Sequence, residues 1–137
     1  MATKGLFVHF RVYPAKDRYF YFTVYVFATK RDMFDFRATL PSRHELHDDY
    51  EAVTVQWSEV KNRRAKIPEK RFDRDIGKIL FHRRQVGSGV VSHEMTHAAL
   101  HFLWLGKIKK NPIYNHTLNE ALAWSVGFMT SQFLRRY

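Results

Sequence analysis

The reading of this chain turns on Val90-Val-Ser-His93-Glu94-Met-Thr-His97-Ala-Ala-Leu100-His101-Phe-Leu-Trp-Leu105-Gly106. The stretch is helical in composition, and Gly106 follows it as a C-cap. Four residues on a helix are about 400° of rotation and about 6 Å of rise, so His93 and His97 stack on one face. Their imidazoles are then able to converge on one Zn2+ at about 2.0–2.1 Å. Glu94 stands one position round, near enough to reach a metal-bound water but badly placed to share the ion with both histidines. A general base needs that placement. With 8 His and 6 Glu in 137 residues, a chance HExxH is roughly a 2% event, so the pattern carries weight. No other charge lies between Val90 and Phe102. A carboxylate in so apolar a helix is costly alone and not costly beside a divalent cation.

Outward from this helix the texture changes. Val86-Gly87-Ser88-Gly89 is a break, and the chain before it reads as strands. Gly5 to Tyr13 alternates, with Leu6, Val8, Phe10 and Val12 on one face. Tyr19 to Ala28 is dense in aromatic and β-branched residues. Pro14 to Asp17 is a turn, which predicts an antiparallel hairpin. Lys30 to Asp49 is polar and holds Pro41, and reads as a loop or a short edge piece. A third strand is predicted at Ala52 to Val60 and a short fourth at Ile76 to Phe81. After the motif helix, Lys107 to His116 is a loop and Thr117 to about Arg135 a second helix. Strands first and helices last predict one α+β domain over residues 1–137. Its antiparallel sheet of three to four strands packs on the HExxH helix and a C-terminal helix.

Composition narrows the classes. Hydrophobic residues make up 45% and aromatics 16%, enough for a real core and too many for a disordered tail. No apolar run approaches 18 residues and the N-terminus has no signal-peptide pattern, so neither a membrane span nor export is expected. Cys is absent, which excludes disulfides, thiol catalysis and Cys-ligated zinc, and suits a cytoplasmic protein. The net charge is +10, and about +7 of it falls between Lys61 and Arg84, where ten basic residues face Glu69, Asp73 and Asp75. Such a segment is a solubilising loop or a means of reaching nucleic acid.

The motif and its uncharged flanks, Val90 to Ala99, resemble the zincin metallopeptidases, and the resemblance runs from about Ile76 to the C-terminus. It implies a minimal zincin in which Ile76 to Phe81 is the edge strand that pairs with extended substrate. A catalytic zinc needs a third protein ligand. Metzincins supply it as HExxHxxGxxH, but here Leu100 stands at the glycine and Leu103 at the histidine. His101 lies about 12 Å along the axis from His93, too far to share the ion, and reads as a surface or core residue.

Two candidates remain for the third ligand. Asn119-Glu120-Ala121-Leu122-Ala123 resembles the Asn-Glu-x-x-Ala/Ser element of gluzincins and the Glu-x-x-Ala pattern of ImmA/IrrE-type peptidases, which implies Glu120. The acidic residue that follows in gluzincins is replaced by Trp124. Thr117-x-x-Glu120 is also a capping box, a role that would occupy Glu120 with backbone. Ala123, Gly127 and Ser131 form a small-residue face that favours close helix approach and hence the short Glu ligand. Ser92 to Ala98 is similar to the SprT/Spartan signature, whose third ligand is a His one loop later, which implies His116. The resemblance to relatives also makes Tyr114 or His116 an oxyanion donor. His44-Glu45-Leu-His47-Asp48-Asp49 reads as a solvated loop.

The expectation is therefore a zinc-dependent endopeptidase acting on protein or peptide inside the cell. Zn2+ is held by His93, His97 and Glu120, and Glu94 is the base. The alternatives are a SprT-like DNA-associated protease using residues 61–84, and a zinc-binding regulatory module without proteolysis. Nothing in the chain sets its oligomeric state.

Overall fold

The computed structural model describes residues 3–40, 52–55, 74–105 and 116–137. Strands β1 (Leu6–Val12) and β2 (Tyr21–Phe27) form the expected antiparallel hairpin, with Phe10 opposite Val24 and Val12 opposite Phe22. Alternation sets one face: Val12, Phe22, Val24 and Val26 are wholly buried.

The chain then enters a helix, α1 (Lys30–Ala38), where the sequence reads as loop. Thr29 caps it, its Oγ1 accepting from the Asp32 backbone N–H at 3.1 Å. The buried side is short: Met33 is wholly buried and Phe36, Arg37 and Leu40 follow at helical spacing. Gly5 has φ +72, and a Cβ there would collide with the Asp32 carboxylate. Glycine is what lets the first turn of α1 sit against the start of β1.

Strands β3 (Ala52–Val55) and β4 (Asp75–His82) complete the sheet in the order β1-β2-β4-β3. It is a mixed sheet in an α+β chain, and the all-antiparallel expectation is corrected by β2 and β4, which run parallel. A parallel pair needs a crossover, and α1 lies within the connection from β2 to β4, against both strands. Met33 packs there with Phe27 and Leu80 in a second, smaller core. The edge position expected of Ile76 to Phe81 is also corrected. These residues lie inside the sheet, bonded to β2 on one side and β3 on the other. Ile76-Gly-Lys-Ile-Leu80-Phe81 is a nearly continuous apolar run, which suits a strand covered on both faces.

The other face carries the long helices α2 (Ser88–Leu105) and α3 (His116–Arg136). Val91, Met95, Ala98 and Ala99 of α2 and Met129 and Phe133 of α3 are wholly buried against β1, β2 and β4. The Phe133 ring meets those of Phe10 and Phe81 at 5.4 and 5.0 Å. Gln132 fixes α3 to the strand end: its Oε1 accepts from the Tyr13 N–H at 2.9 Å and its Nε2 donates to the Tyr13 carbonyl at 2.7 Å. Ser125 donates to the Pro14 carbonyl at 2.9 Å. No helix among the described residues is long and apolar enough to cross a membrane. The loop at 44–49, the second half of the expected third strand, most of the basic segment, Gly106 and Tyr114 lie outside the described residues.

Candidate metal centre

On α2 the face toward the sheet is Val91, Met95 and Ala98, so positions 93 and 97 turn away from the core. There His93 and His97 place their Nε2 atoms 3.2 Å apart, the rings nearly perpendicular at 81°. The contact has the length of an N–H···N hydrogen bond, and two nitrogens bound at 2.0–2.1 Å to a tetrahedral ion stand about 3.3 Å apart, so the spacing is compatible with Zn2+. The His93 side chain is 67% exposed, which gives an ion a path from solvent.

Glu94 differs in environment from its neighbours. It is 5% exposed, on the flank of α2 that turns toward the sheet. Its Oε2 lies 3.7 Å from His93 Nε2, and the three groups fall within 4.8 Å of one another. A buried carboxylate thus stands beside two exposed imidazoles. The two imidazole nitrogens are donors that zinc accepts, and a third would have to come from outside this group.

His101, two turns from His93, faces the core. It is 3% exposed and its ring lies 6.3 Å from that of Phe22. Burial pushes its pKa down to about 4 from the ordinary 6.5, against the smaller opposing pull of a backbone hydrogen bond with Ile76. It sits in the core, outside the His93–Glu94–His97 group.

The candidates for the third ligand lie at the start of α3. Its first residue is His116, and Glu120 is exposed on the next turn, outside the His93–Glu94–His97 group. Its neighbour Asn119 faces a groove of about 790 Å3 between α2 and α3, whose other wall includes Ser92 and Thr96. Those two residues each precede a histidine of the pair, and Thr96 Oγ1 donates to the Ser92 carbonyl at 2.7 Å. They were legible only as the positions one step from each histidine. Ala123, Gly127 and Ser131 line the same groove. The close helix approach expected of them is not what they provide. A Cβ on Gly127 would meet nothing within 4 Å, so the small residues open a cleft. The two helices share the core cluster of Val91, Met95, Ala98, Ala99, Met129 and Phe133. No protein-family model, curated protein or solved structure matches the chain, so the fold and this cluster of side chains are the ground on which its function is read.

Proposed function

We propose that the chain is a zinc-dependent endopeptidase of the zincin type. Zn2+ is held by His93, His97 and Glu120, and Glu94 serves as general base and proton shuttle. The observation that carries the reading is the Nε2 pair at 3.2 Å with a buried carboxylate oxygen 3.7 Å from one of them. An ion bound there supplies Lewis-acid polarisation of a peptide carbonyl and lowers the pKa of its water to about 7. Glu94 takes the proton of the attacking water and returns it to the leaving amine. Its dry setting strengthens that exchange, because competing solvent is kept from the carboxylate.

Glu120 is chosen as third ligand over His116 for two reasons. The Asn119-Glu120-x-x-Ala123 pattern matches that role, and Asn119 shares a groove with the residues preceding both histidines. His116 and Tyr114 are assigned to the oxyanion. Extended substrate adds to β3, since both sides of β4 are occupied and β3 lies against α2. A second reading, a SprT-like protease brought to nucleic acid by residues 61–84, is favoured by the ten basic residues of that segment. It takes His116 as third ligand. A third, a zinc-binding regulator, keeps the metal without turnover.

The test is hydrolysis of a denatured protein substrate by the purified chain before and after chelation. Activity that is lost with the metal and restored by one equivalent of zinc supports the peptidase. Zinc binding without turnover supports the regulator, and failure to bind zinc refutes both.

A further inference from the structure

Away from the metal centre, the turn end of the β1–β2 hairpin carries an unbroken run of tyrosines and arginines. The Arg11 guanidinium lies 4.1 Å from the centre of the Tyr21 ring, and Tyr21 meets Tyr13 edge-on at 6.2 Å. Arg18 lies 5.4 Å from the Tyr13 ring, and Arg74 5.0 Å from that of Tyr19. Arg74 closes the run by donating to the Arg18 and Tyr19 carbonyls at 3.1 and 2.8 Å. Three rings and three guanidiniums thus form one surface, contributed by β1, the turn, β2 and the residue before β4.

Two observations set it apart from an ordinary solvated turn. The first is charge. Among the described residues none of the three arginines is ion-paired, because Asp17 bonds the Tyr19 N–H and Asp75 is engaged by Lys78 and Thr23. The second is backbone. Arg18 holds φ +55, the left-handed region that disfavours a long side chain, with its N–H bonded to the Ala15 carbonyl at 3.1 Å. Glycine or asparagine would satisfy that turn at lower cost, and an arginine there keeps a cation on the Tyr13 ring.

We infer that this face binds single-stranded nucleic acid. Arg11 and Arg18 keep their in-plane donors for phosphate while Arg74 spends two of its own on backbone carbonyls, and the half-exposed Tyr19 ring and the guanidinium planes offer unpaired bases a stacking surface. A duplex hides its bases from such rings, and an acidic peptide has use for the cations but not for the aromatics. The chain's +10 charge supplies the long-range attraction. This inference is independent of the proposed hydrolysis.

The test is fluorescence anisotropy of the full chain with a labelled oligo-dT of about 15 nucleotides and the equivalent oligo-rU, across about 50–300 mM salt. Both single strands should bind, with duplex of the same length weaker. Arg11→Gln with Arg18→Asn, the latter suited to the turn, should weaken binding about 10-fold or more and flatten the log–log salt slope by about 1.4. Tyr19→Leu, at a ring 52% exposed, should cost about 5- to 100-fold while leaving the salt slope unchanged. Arg135→Gln with Arg136→Gln is the control for generic charge, and circular dichroism confirms that each variant folds. The inference is overturned by equal loss in the control pair, by an unaffected Tyr19 variant, by duplex binding as tight as single strand, or by polyglutamate competing as well as oligo-dT.

Discussion

Acid should unfold this protein partly through one residue, His101. Its pKa is about 4 in the fold and 6.5 when the chain opens. Between those values the unfolded chain binds a proton that the native one refuses, so stability falls as pH drops through the window. The contribution is fully present above pH 6.5 and lost by about pH 4, and the gap corresponds to about 3 kcal/mol. His101 is 3% exposed, so solvent screening takes little from this figure. The perturbation is His101→Leu, which fills the site beside Phe22 and Ile76 without a titrating group. Urea unfolding of wild type and variant at a series of pH values, both in chelator so that metal release does not contribute, gives the two stability curves. A constant offset between them reports the lost Ile76 hydrogen bond and changed packing. What identifies His101 is a gap that changes by about 2–3 kcal/mol from pH 7 to pH 4.5, in favour of the leucine variant. Parallel curves would refute the reasoning.

Three further outcomes follow from contacts already described. Gln132→Leu leaves the Tyr13 N–H and carbonyl without their partners and should cost about 2–4 kcal/mol in urea unfolding, with Gln132→Glu, which keeps the acceptor, intermediate. Gly5→Ala meets both a left-handed backbone and the Asp32 carboxylate, and should cost at least about 2 kcal/mol. Part of that loss should be recovered in an Asp32→Ala background, as read by thermal melts of the four chains. Glu120→Ala should weaken zinc binding by orders of magnitude in a competition titration, whereas His116→Ala should leave zinc content intact and lower turnover alone. The reverse pattern would move the third ligand to His116.

Local patterns carried much of this fold. The β1–β2 hairpin follows from alternation on two adjacent strands around a Pro-containing turn, α2 from the helical composition around HExxH, and α3 from its apolar face of Leu122, Val126, Met129 and Phe133. What escaped were features decided at a distance. The polar helix α1 buries little beyond Met33 and Arg37, so its apolar period is faint. The legible signal was Thr29 three residues before Asp32, a cap reading onto Met33, Phe36 and Leu40. The place of β4 in the sheet is a pairing choice between strands about 50 residues apart, which no local period records. Its nearly continuous apolar run, read as an edge, is the one local signal that points to a strand covered on both faces. In the metal centre, HExxH placed His93, Glu94 and His97 together because helix geometry alone fixes residues one turn apart. The proposed third ligand, Glu120, is on another helix, and only the packing of α2 on α3 decides whether it can reach the pair. There the small residues Ala123 and Gly127 line a cleft, where their size had suggested contact.

The central claim is that an ion held by His93 and His97 works with Glu94 as the base that moves the proton. Glu94→Gln tests it most directly, since the amide matches the carboxylate in shape and cannot accept that proton. Zinc content and hydrolysis of a quenched fluorescent peptide are measured on the same samples of wild type and variant. The account predicts about one zinc per chain in both and a rate lower by roughly 100-fold or more in the variant. Full activity in a zinc-loaded Glu94→Gln chain would contradict it.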